Sequence, residues 1–413
     1  MLCRSPASAL SRRDFLLLGG AAAVDRLTPP IARMSELLTD KDLPPSAGIK
    51  LFLAGDVMLG RGIDQVLPHP GDPRIFEPLI VSADGYVALA ESAHGPIPKP
   101  VDFSYVWGDA LAALRQAQPD ARIVNLETSV TKSTRYARKE IHYKMNPENA
   151  GCLTAAGINC CALANNHVLD WGRAGLLETL ETLAQAGIRG VGAGRNAAEA
   201  SAPAILNASG KGRVVVFSFG AEDSGIPGEW AAGTSEPGVN LLRDFSDRTL
   251  ARIAALAEAA RRPGDILVAS MHWGANFGYA LPGEHKSFAH GLIERGGFDV
   301  VFGHSSHHPL GIEVYRRKLV LFGCGDFLND YEGIGGYEEY RGDLSLMYLP
   351  VISASTGELL ELTMRPFQIR RFRLNGAAEE DARWLSQRLH RESAGLGTRI
   401  RLASDGSLVA SWA

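Results

Sequence analysis

The chain has 413 residues, of which 46% are hydrophobic and 21% are charged, and its formal net charge is −4. This composition is typical of a folded globular protein with a sizeable core, in one large domain or two modest ones. Because the chain has no basic tract, we do not expect it to bind nucleic acid. No Cys-x-x-Cys pair occurs among the five cysteines, so we expect buried thiols rather than a zinc–thiolate cluster.

The N-terminus has the pattern of an export signal. Arg12 and Arg13 stand two residues before Phe15, at the start of a short, weakly apolar run. The run is too short for a stable transmembrane helix, and the order Ser-Arg-Arg-x-Phe-Leu resembles a signal read by the twin-arginine export machinery. We therefore expect 1–24 to be this signal and 25–47 to be a linker. The protein would then be periplasmic or extracellular, either released or held at the membrane by an uncleaved signal. The alternative is a helix of the folded domain with two surface arginines.

Strand-like and helix-like segments alternate along the rest of the chain. Buried strands are predicted at 49–54, 121–129, 158–167, 189–194, 212–219, 265–274 and 298–308, then a hairpin at 311–327 and strands at 343–352, 358–369 and 370–375. Helices are predicted at 103–116, 146–157, 173–188, 243–262, 284–297 and 379–397. The alternation predicts a layered α/β domain, and the late antiparallel strands indicate a mixed sheet or a second sheet.

Five of the predicted strands end in residues that can bind a metal ion. In open α/β sheets the carboxyl ends of the strands form the ligand crevice, so these side chains are expected to meet. Oxygen and imidazole ligands together favour one or two divalent transition-metal ions, manganese, zinc or iron, over a pure calcium or magnesium site. The residues are Asp56, Glu127, Asn166 with His167, His272, and His304 with His307.

Other candidates near these strand ends have two interpretations each. Arg61 is a fixed cation that can bind a substrate carboxylate or phosphate, or it forms an ion pair at the surface. Asp170 is expected to cap the following helix, with the alternative that it holds His167 in one tautomer. The aromatic segment 272–285 can shape a groove. The acidic and aromatic segment 325–343 can be a lid, a further cation site or a surface loop.

The order and spacing of several motifs resemble those of the CapA family of poly-gamma-glutamate capsule synthesis. These motifs are Gly-Asp-Val-Met-Leu-Gly-Arg, Asn-Leu-Glu-Thr-Ser-Val-Thr, Ala-Asn-Asn-His, His-Trp-Gly and Gly-His-Ser-Ser-His-His. The family is similar to calcineurin-like metallophosphoesterases. The resemblance implies a single catalytic domain over 48–355, built as a four-layer α/β/β/α sandwich, with strands and a helix of 356–413 packed on it.

The resemblance also implies a role for each candidate residue. Asp56 and Glu127 would be carboxylate ligands, with Glu127 as a candidate bridge, and His304 would complete the first metal site. Asn166, His272 and His307 would hold a second ion. His167 would face the substrate as general acid or orient the nucleophile. One position departs from the phosphoesterase pattern, because Met58 stands where Asp-x-His would place a histidine, and methionine is a poor ligand for these metals.

Three functions remain open at this point. The first is an exported metal-dependent hydrolase or transferase, which acts on an amide or phosphoester of an anionic envelope polymer or peptide-like substrate and works with a capsule-synthesis complex at the membrane. The second is a non-catalytic factor that binds and guides the polymer during export. The third is a peptide epimerase in which Asp56 and His304 move a proton at an α-carbon.

Overall fold

The computed structural model describes residues 48–208 and 210–413. The predicted export signal and linker lie outside the described residues. Within this part of the chain, no helix combines the length and the apolar character needed to cross a bilayer.

Helices and strands alternate through the described residues. The helices are α1 (Arg61–Val66), α2 (Asp84–His94), α3 (Ala110–Ala117), α4 (Gly151–Ala155), α5 (Gly172–Gln185), α6 (Ala197–Ser201), α7 (Asp247–Ala260), α8 (Gly283–Glu294) and α9 (Glu379–Ala394). The strands of the first half are β1 (Ile49–Val57), β2 (Ala121–Leu126), β3 (Ser129–Val130), β4 (Lys144–Met145), β5 (Cys160–Ala162), β6 (Arg189–Val191), β7 (Ala193–Gly194), β8 (Ala204–Asn207) and β9 (Arg213–Ala221). The strands of the second half are β10 (Gly238–Val239), β11 (Leu241–Leu242), β12 (Asp265–His272), β13 (Val300–His304), β14 (Ile312–Tyr315), β15 (Lys318–Leu321), β16 (Asp326–Leu328), β17 (Leu344–Ile352), β18 (Leu359–Ile369), β19 (Leu374–Gly376), β20 (Thr398–Leu402) and β21 (Leu408–Trp412).

The first large sheet is mixed, as the sequence predicts. Its strand order is β20-β21-β18-β17-β1-β2-β5-β6, with β16 paired to β1 and β19 to β18. The strands β1, β2, β5 and β6 are parallel, whereas β17, β18, β20 and β21 pair antiparallel. The C-terminal strands are therefore part of the same sheet as the first strand of the domain.

The second large sheet has the order β11-β9-β12-β13-β15-β14, with β8 paired to β9. Its central strands β9, β12, β13 and β15 are parallel. The predicted hairpin is present as the antiparallel pair β14 and β15. Arg316 and Arg317 form its turn in the left-handed backbone region, with φ values of 47° and 62°. The strained turn is typical of a two-residue hairpin loop.

The two sheets pack face to face between outer layers of helices. On β1, Leu51 and Leu53 point into a core shared with the second sheet, while the alternate residue Phe52 packs on the opposite face. Helices α2, α3, α4 and α5 cover that outer face of the first sheet, and α7 and α8 cover the outer face of the second. The layer order is thus α/β/β/α, which confirms the predicted fold class.

Some elements differ from those predicted. The segment expected to be one helix at 103–116 is a 3₁₀ turn, Tyr105–Trp107, followed by α3, because Gly108 takes a φ of 45° between them. Helices α1, α2 and α6 and strands β8, β10, β11, β20 and β21 were not predicted. The four cysteines within the described residues are buried free thiols, as expected.

Candidate metal centre

Strand register brings the candidate ligands together at the carboxyl ends of both sheets. His272 and His304 are register partners on the adjacent parallel strands β12 and β13. Asp56 and Asp326 are register partners on the parallel strands β1 and β16. Partners across parallel strands point to the same face of a sheet, so each pair stands side by side.

The first group of ligands comprises Asp56, His272 and His304. All three are buried, and one ligand atom from each lies within 4.8 Å of the others. The Nδ1 atoms of the two histidines are 2.8 Å apart, and His304 Nδ1 is 3.9 Å from Asp56 Oδ1. Burial lowers the pKa of His304 to about 3 and that of His272 well below its usual value. Both imidazoles are therefore neutral, which is the form that binds metal.

The second group comprises Asp56, Glu127, His307 and Asp326, whose ligand atoms also lie within 4.8 Å of one another. Burial and the charge of Asp326 raise the pKa of Asp56 to about 7, and burial and the charge of Asp56 raise that of Glu127 well above its usual range. Within the described residues, Glu127 Oε2 is buried and has no hydrogen-bond partner. Crowded, partly unpaired carboxylates are costly in a buried site unless a cation compensates them. The residues therefore fit a divalent ion.

This grouping differs from the one that the resemblance implies. Asp56 belongs to both groups, whereas Glu127 belongs to one, so Asp56 and not Glu127 would be the candidate shared ligand. His307 lies with Glu127, while His272 lies with His304. Asp326 was not among the expected ligands of this centre; it was placed in the acidic and aromatic segment 325–343, for which a lid, a further cation site and a surface loop stayed open. The sequence feature that could have identified Asp326 is its position directly after the strand-like run that ends in Gly-Cys-Gly.

Neighbouring polar groups hold the carboxylates in place. Asn125 Nδ2 donates to Asp56 Oδ1 at 2.6 Å, and the Ser305 backbone N–H donates to Asp56 Oδ2 at 3.2 Å. Asn329 Nδ2 donates to Asp326 Oδ2 at 2.8 Å, and His307 Nδ1 is 2.9 Å from Asp326 Oδ1. Such outer contacts orient metal ligands and fix their protonation.

The two asparagines of the Asn-Asn-His motif make different contacts. Asn165 Oδ1 accepts from the backbone N–H groups of His167 and Val168, at 3.1 and 3.0 Å, and so shapes the turn. Asn166 Oδ1 lies 3.1 Å from His272 Nε2, at the edge of the first group. Asn166 thus reaches the candidate centre, as expected, while Asn165 supports the backbone around it.

His167 is fixed from one side of its ring. Its Nδ1 lies 2.6 Å from Asp170 Oδ2, and its ring stacks on Tyr143 with the centroids 3.8 Å apart. Lys139 Nζ is 2.8 Å from Asp170 Oδ1. Although burial acts in the opposite direction, the charge of Lys139 and the hydrogen bond that Asp170 accepts from His167 lower the pKa of Asp170. Burial lowers the pKa of His167 to about 3. An ionised Asp170 therefore accepts the Nδ1 proton of a neutral His167, whose Nε2 keeps its lone pair.

The expected capping role of Asp170 is wrong. Helix α5 begins at Gly172, and the preceding Trp171 makes no side-chain capping bond. The Asp170 carboxylate is occupied by His167, by Lys139 and by the Tyr143 backbone N–H, which donates at 2.7 Å. The alternative, that Asp170 selects the tautomer of His167, agrees with these contacts.

Arg61 lies close to this centre but is not a free cation. Its side chain is buried and pairs with Asp330 and with Glu77, the latter at 3.2 Å. Its guanidinium also lies over the rings of Tyr86 and Tyr143, at 3.7 and 4.6 Å from their centroids. Arg61 is therefore in an ion pair, but a buried one and not the surface pair expected as the alternative, and its charge is already balanced by two carboxylates.

A cavity of about 520 Å³ opens beside the second ligand group. Its wall includes His307 and Arg61, and most of the remaining wall is aromatic or aliphatic. Both segments singled out in the sequence contribute to it, through Phe277 from 272–285 and through Tyr331 and Tyr337 from 325–343. The cavity therefore offers space for a substrate next to the candidate centre.

Residues 50–331 match the family model described as bacterial capsule synthesis protein PGA_cap. The chain belongs to this family. A probable polyglutamine synthesis accessory protein of Mycobacterium tuberculosis is 47% identical over 87% of this chain and 95% of the relative. The capsule biosynthesis protein CapA of Bacillus anthracis is 23% identical over 68% of this chain and 60% of its own length. A phosphatase from Mycoplasma pneumoniae superposes with a TM-score of 0.43 and 11% identity, over 78% of this chain and 94% of the phosphatase. The PGA_cap match spans every candidate ligand described above.

Proposed function

We propose that this PGA_cap protein is an exported, metal-dependent hydrolase or transferase that cuts or transfers an amide or phosphoester bond of an envelope polymer. The observation that carries the proposal is the pair of ligand groups that share Asp56. One group offers two neutral imidazoles and the other offers three carboxylates and an imidazole, a donor set that suits manganese, zinc or iron. The names of the relatives connect the polymer to poly-glutamate synthesis.

Asp56, His272 and His304 would hold one ion, and Asp56, Glu127, His307 and Asp326 would hold the other. Asp326 supplies a ligand at the centre, where Met58 offers none. Bound ions of this kind supply Lewis acidity, which polarises the scissile carbonyl or phosphoryl group and makes water more acidic.

His167 would act on the proton of the attacking or leaving oxygen or nitrogen. With its Nδ1 proton directed to Asp170, the Nε2 lone pair is set to accept a proton or to orient the nucleophile. This geometry favours the orienting role over that of a resident acid, because a neutral imidazole has no Nε2 proton to give in this tautomer. Lys139 would keep Asp170 ionised and so preserve the tautomer.

The structure disfavours the epimerase interpretation. Asp56 and His304 are both fully buried, and His304 Nε2 is 2.7 Å from Ser270 Oγ. A pair that exchanges a proton with a peptide α-carbon must touch that carbon. Asp56 and His304 instead face each other and His272, as ligands do. The second alternative is a factor that binds polymer without turnover, and the hydrolysis experiment below distinguishes it from the proposed enzyme.

The test is hydrolysis of two probes by the full chain loaded with manganese or zinc. The probes are bis(p-nitrophenyl) phosphate, which reports phosphoester cleavage, and a γ-glutamate oligomer, which reports amide cleavage. We expect turnover of one probe and a fall in kcat of about 100- to 10,000-fold for His167→Gln. His290→Gln is the matched control, since His290 is a histidine of α8 that pairs with Glu313 away from the centre. Absence of turnover with either metal, together with metal-independent binding of the oligomer, would instead establish the polymer-binding factor.

A further inference from the structure

The cavity beside the second ligand group has little unpaired positive charge, which is unusual for a site that binds a polyanion. Two arginines line it, Arg61 and Arg341. Each is held between two carboxylates: Arg61 pairs with Glu77 and Asp330, whereas Arg341 pairs with Asp343 at 2.8 Å and Asp381 at 2.7 Å. An arginine already paired twice has little charge left to attract a further anion.

The wall also carries two glutamates, Glu332 and Glu338, and two histidines, each of which is already paired with a carboxylate: His94 with Glu332 and His307 with Asp326. Glu332 is buried and accepts from the backbone N–H groups of Arg371 and Phe372, so its carboxylate is fixed at the wall. Glu338, on the same wall, is exposed, and its Oε1 accepts from Gly336. A γ-glutamyl chain carries one carboxylate on each residue, and in the metal-free protein each would face these carboxylates with no unpaired side-chain cation on the wall among the described residues.

Aromatic rings form much of the rest of the wall. Phe277 and Tyr337 are stacked with their centroids 4.1 Å apart, and Tyr337 is 52% exposed, so one face of its ring is open. Tyr143 and Tyr331 lie deeper and join their hydroxyl groups at 2.6 Å. An open aromatic face next to carboxylate acceptors suits a sugar ring, whose C–H face packs on the ring and whose hydroxyl groups donate to carboxylates. An aliphatic peptide side chain would satisfy the rings but not the carboxylates.

We infer that this cavity binds an uncharged sugar ring, so that one side of the bond acted on belongs to a neutral glycan and not to the anionic glutamyl chain. The inference rests on the proposed function, because it names the substrate class of the same site. It places the exposed ring of Tyr337 against the sugar and leaves His167 and the ligand groups to act on the adjoining bond.

The test measures binding without turnover, using full-length protein kept metal-free with chelator. Calorimetry is run with neutral chitotetraose, neutral maltotetraose and a γ-glutamate tetramer. We expect one of the two sugars to bind, the glutamate oligomer not to bind, and Tyr337→Ala to weaken sugar binding by about tenfold. Tyr136→Ala is the matched control, because Tyr136 is also a half-exposed, stacked aromatic residue but lies on Phe76, outside the cavity wall.

Three results would overturn the inference. They are binding of neither sugar, equal sugar affinity in Tyr337→Ala and the unaltered protein, or tighter binding of the glutamate oligomer than of both sugars. Since no metal and no reaction are involved, these results do not depend on whether the protein is a hydrolase. Conversely, sugar binding that persists in a protein without turnover would refute the proposed function alone.

Discussion

Removal of the Asp170 carboxylate should break the hydrogen bond that fixes the His167 ring and should destabilise the fold. In Asp170→Ala, His167 Nδ1 and the Tyr143 backbone N–H lose a buried acceptor, at present 2.6 and 2.7 Å away, and Lys139 Nζ loses its ion-pair partner, at present 2.8 Å away. Breaking a buried ion pair by removing one partner costs about 3–5 kcal/mol, because the remaining charge is left uncompensated. We expect a loss of this size in the free energy of unfolding, measured by urea denaturation of the metal-free protein.

The same variant should change the protonation pattern of His167. Nitrogen NMR of the histidine rings should show the Nδ1 proton in the unaltered protein and a mixture of tautomers in Asp170→Ala. Asp247→Ala is the control for stability, because Asp247 is 90% exposed in its ion pair with Arg295 and should cost less than about 1 kcal/mol. If Asp170→Ala were no more destabilised than this control, or if the His167 tautomer did not change, the account of the Asp170 contacts would be wrong.

Three further outcomes follow from the buried charges. Metal binding should release protons near pH 7 and should weaken as the pH falls below 7. The reason is that the pKa of Asp56 is raised to about 7 and that of Glu127 well above its usual range, and both carboxyl groups must ionise to bind metal. Calorimetry in buffers of different ionisation enthalpy measures the proton release, and its absence would contradict this prediction. Asp64→Ala should lower the free energy of unfolding in urea denaturation by about 3 kcal/mol, since Asp64 accepts hydrogen bonds from the Gly71 and Asn146 backbone N–H groups and from Asn149 Nδ2. An unfolding free energy equal within error to that of the unaltered protein would refute this. Arg61→Met should cost about 3–5 kcal/mol in the same assay, because two buried carboxylates lose their cation, and an unchanged midpoint would show that they do not need it.

Much of the fold and several site residues could be predicted from local sequence. Continuous apolar runs closed by polar residues identified β1, β2, β12 and β13, and the crevice rule then placed Asp56 and His272 at one end of the domain. Both predictions depend only on residues adjacent in the chain. The hairpin at β14 and β15 was predictable for the same reason, since its turn lies between two apolar runs.

What could not be predicted depends on contacts between distant segments. Asp326 joins the candidate ligands because the short strand β16 pairs in parallel with β1, which lies about 270 residues earlier, and no local pattern encodes that pairing. Arg61 stands near Asp56 in sequence, but one of its two partners, Asp330, lies 269 residues later in the chain. Asp170 has the sequence context of a helix cap, yet Lys139 and His167 engage its carboxylate instead. Asp326, Arg61 and the pair of Asp170 with Lys139 depend on segments distant in sequence, whereas His167 lies only three residues before Asp170 and the contact between them was the alternative that the sequence left open.

The most direct test of the central claim is the metal content of the purified protein after loading with manganese or zinc, measured by elemental analysis. The sharing of Asp56 by two ligand groups predicts two ions per chain in the unaltered protein, one in His272→Ala, one in Asp326→Ala and none in Asp56→Ala. Circular dichroism of each variant checks that it is folded. A protein that holds no metal after loading, or a His272→Ala variant that keeps the full content, would contradict the account.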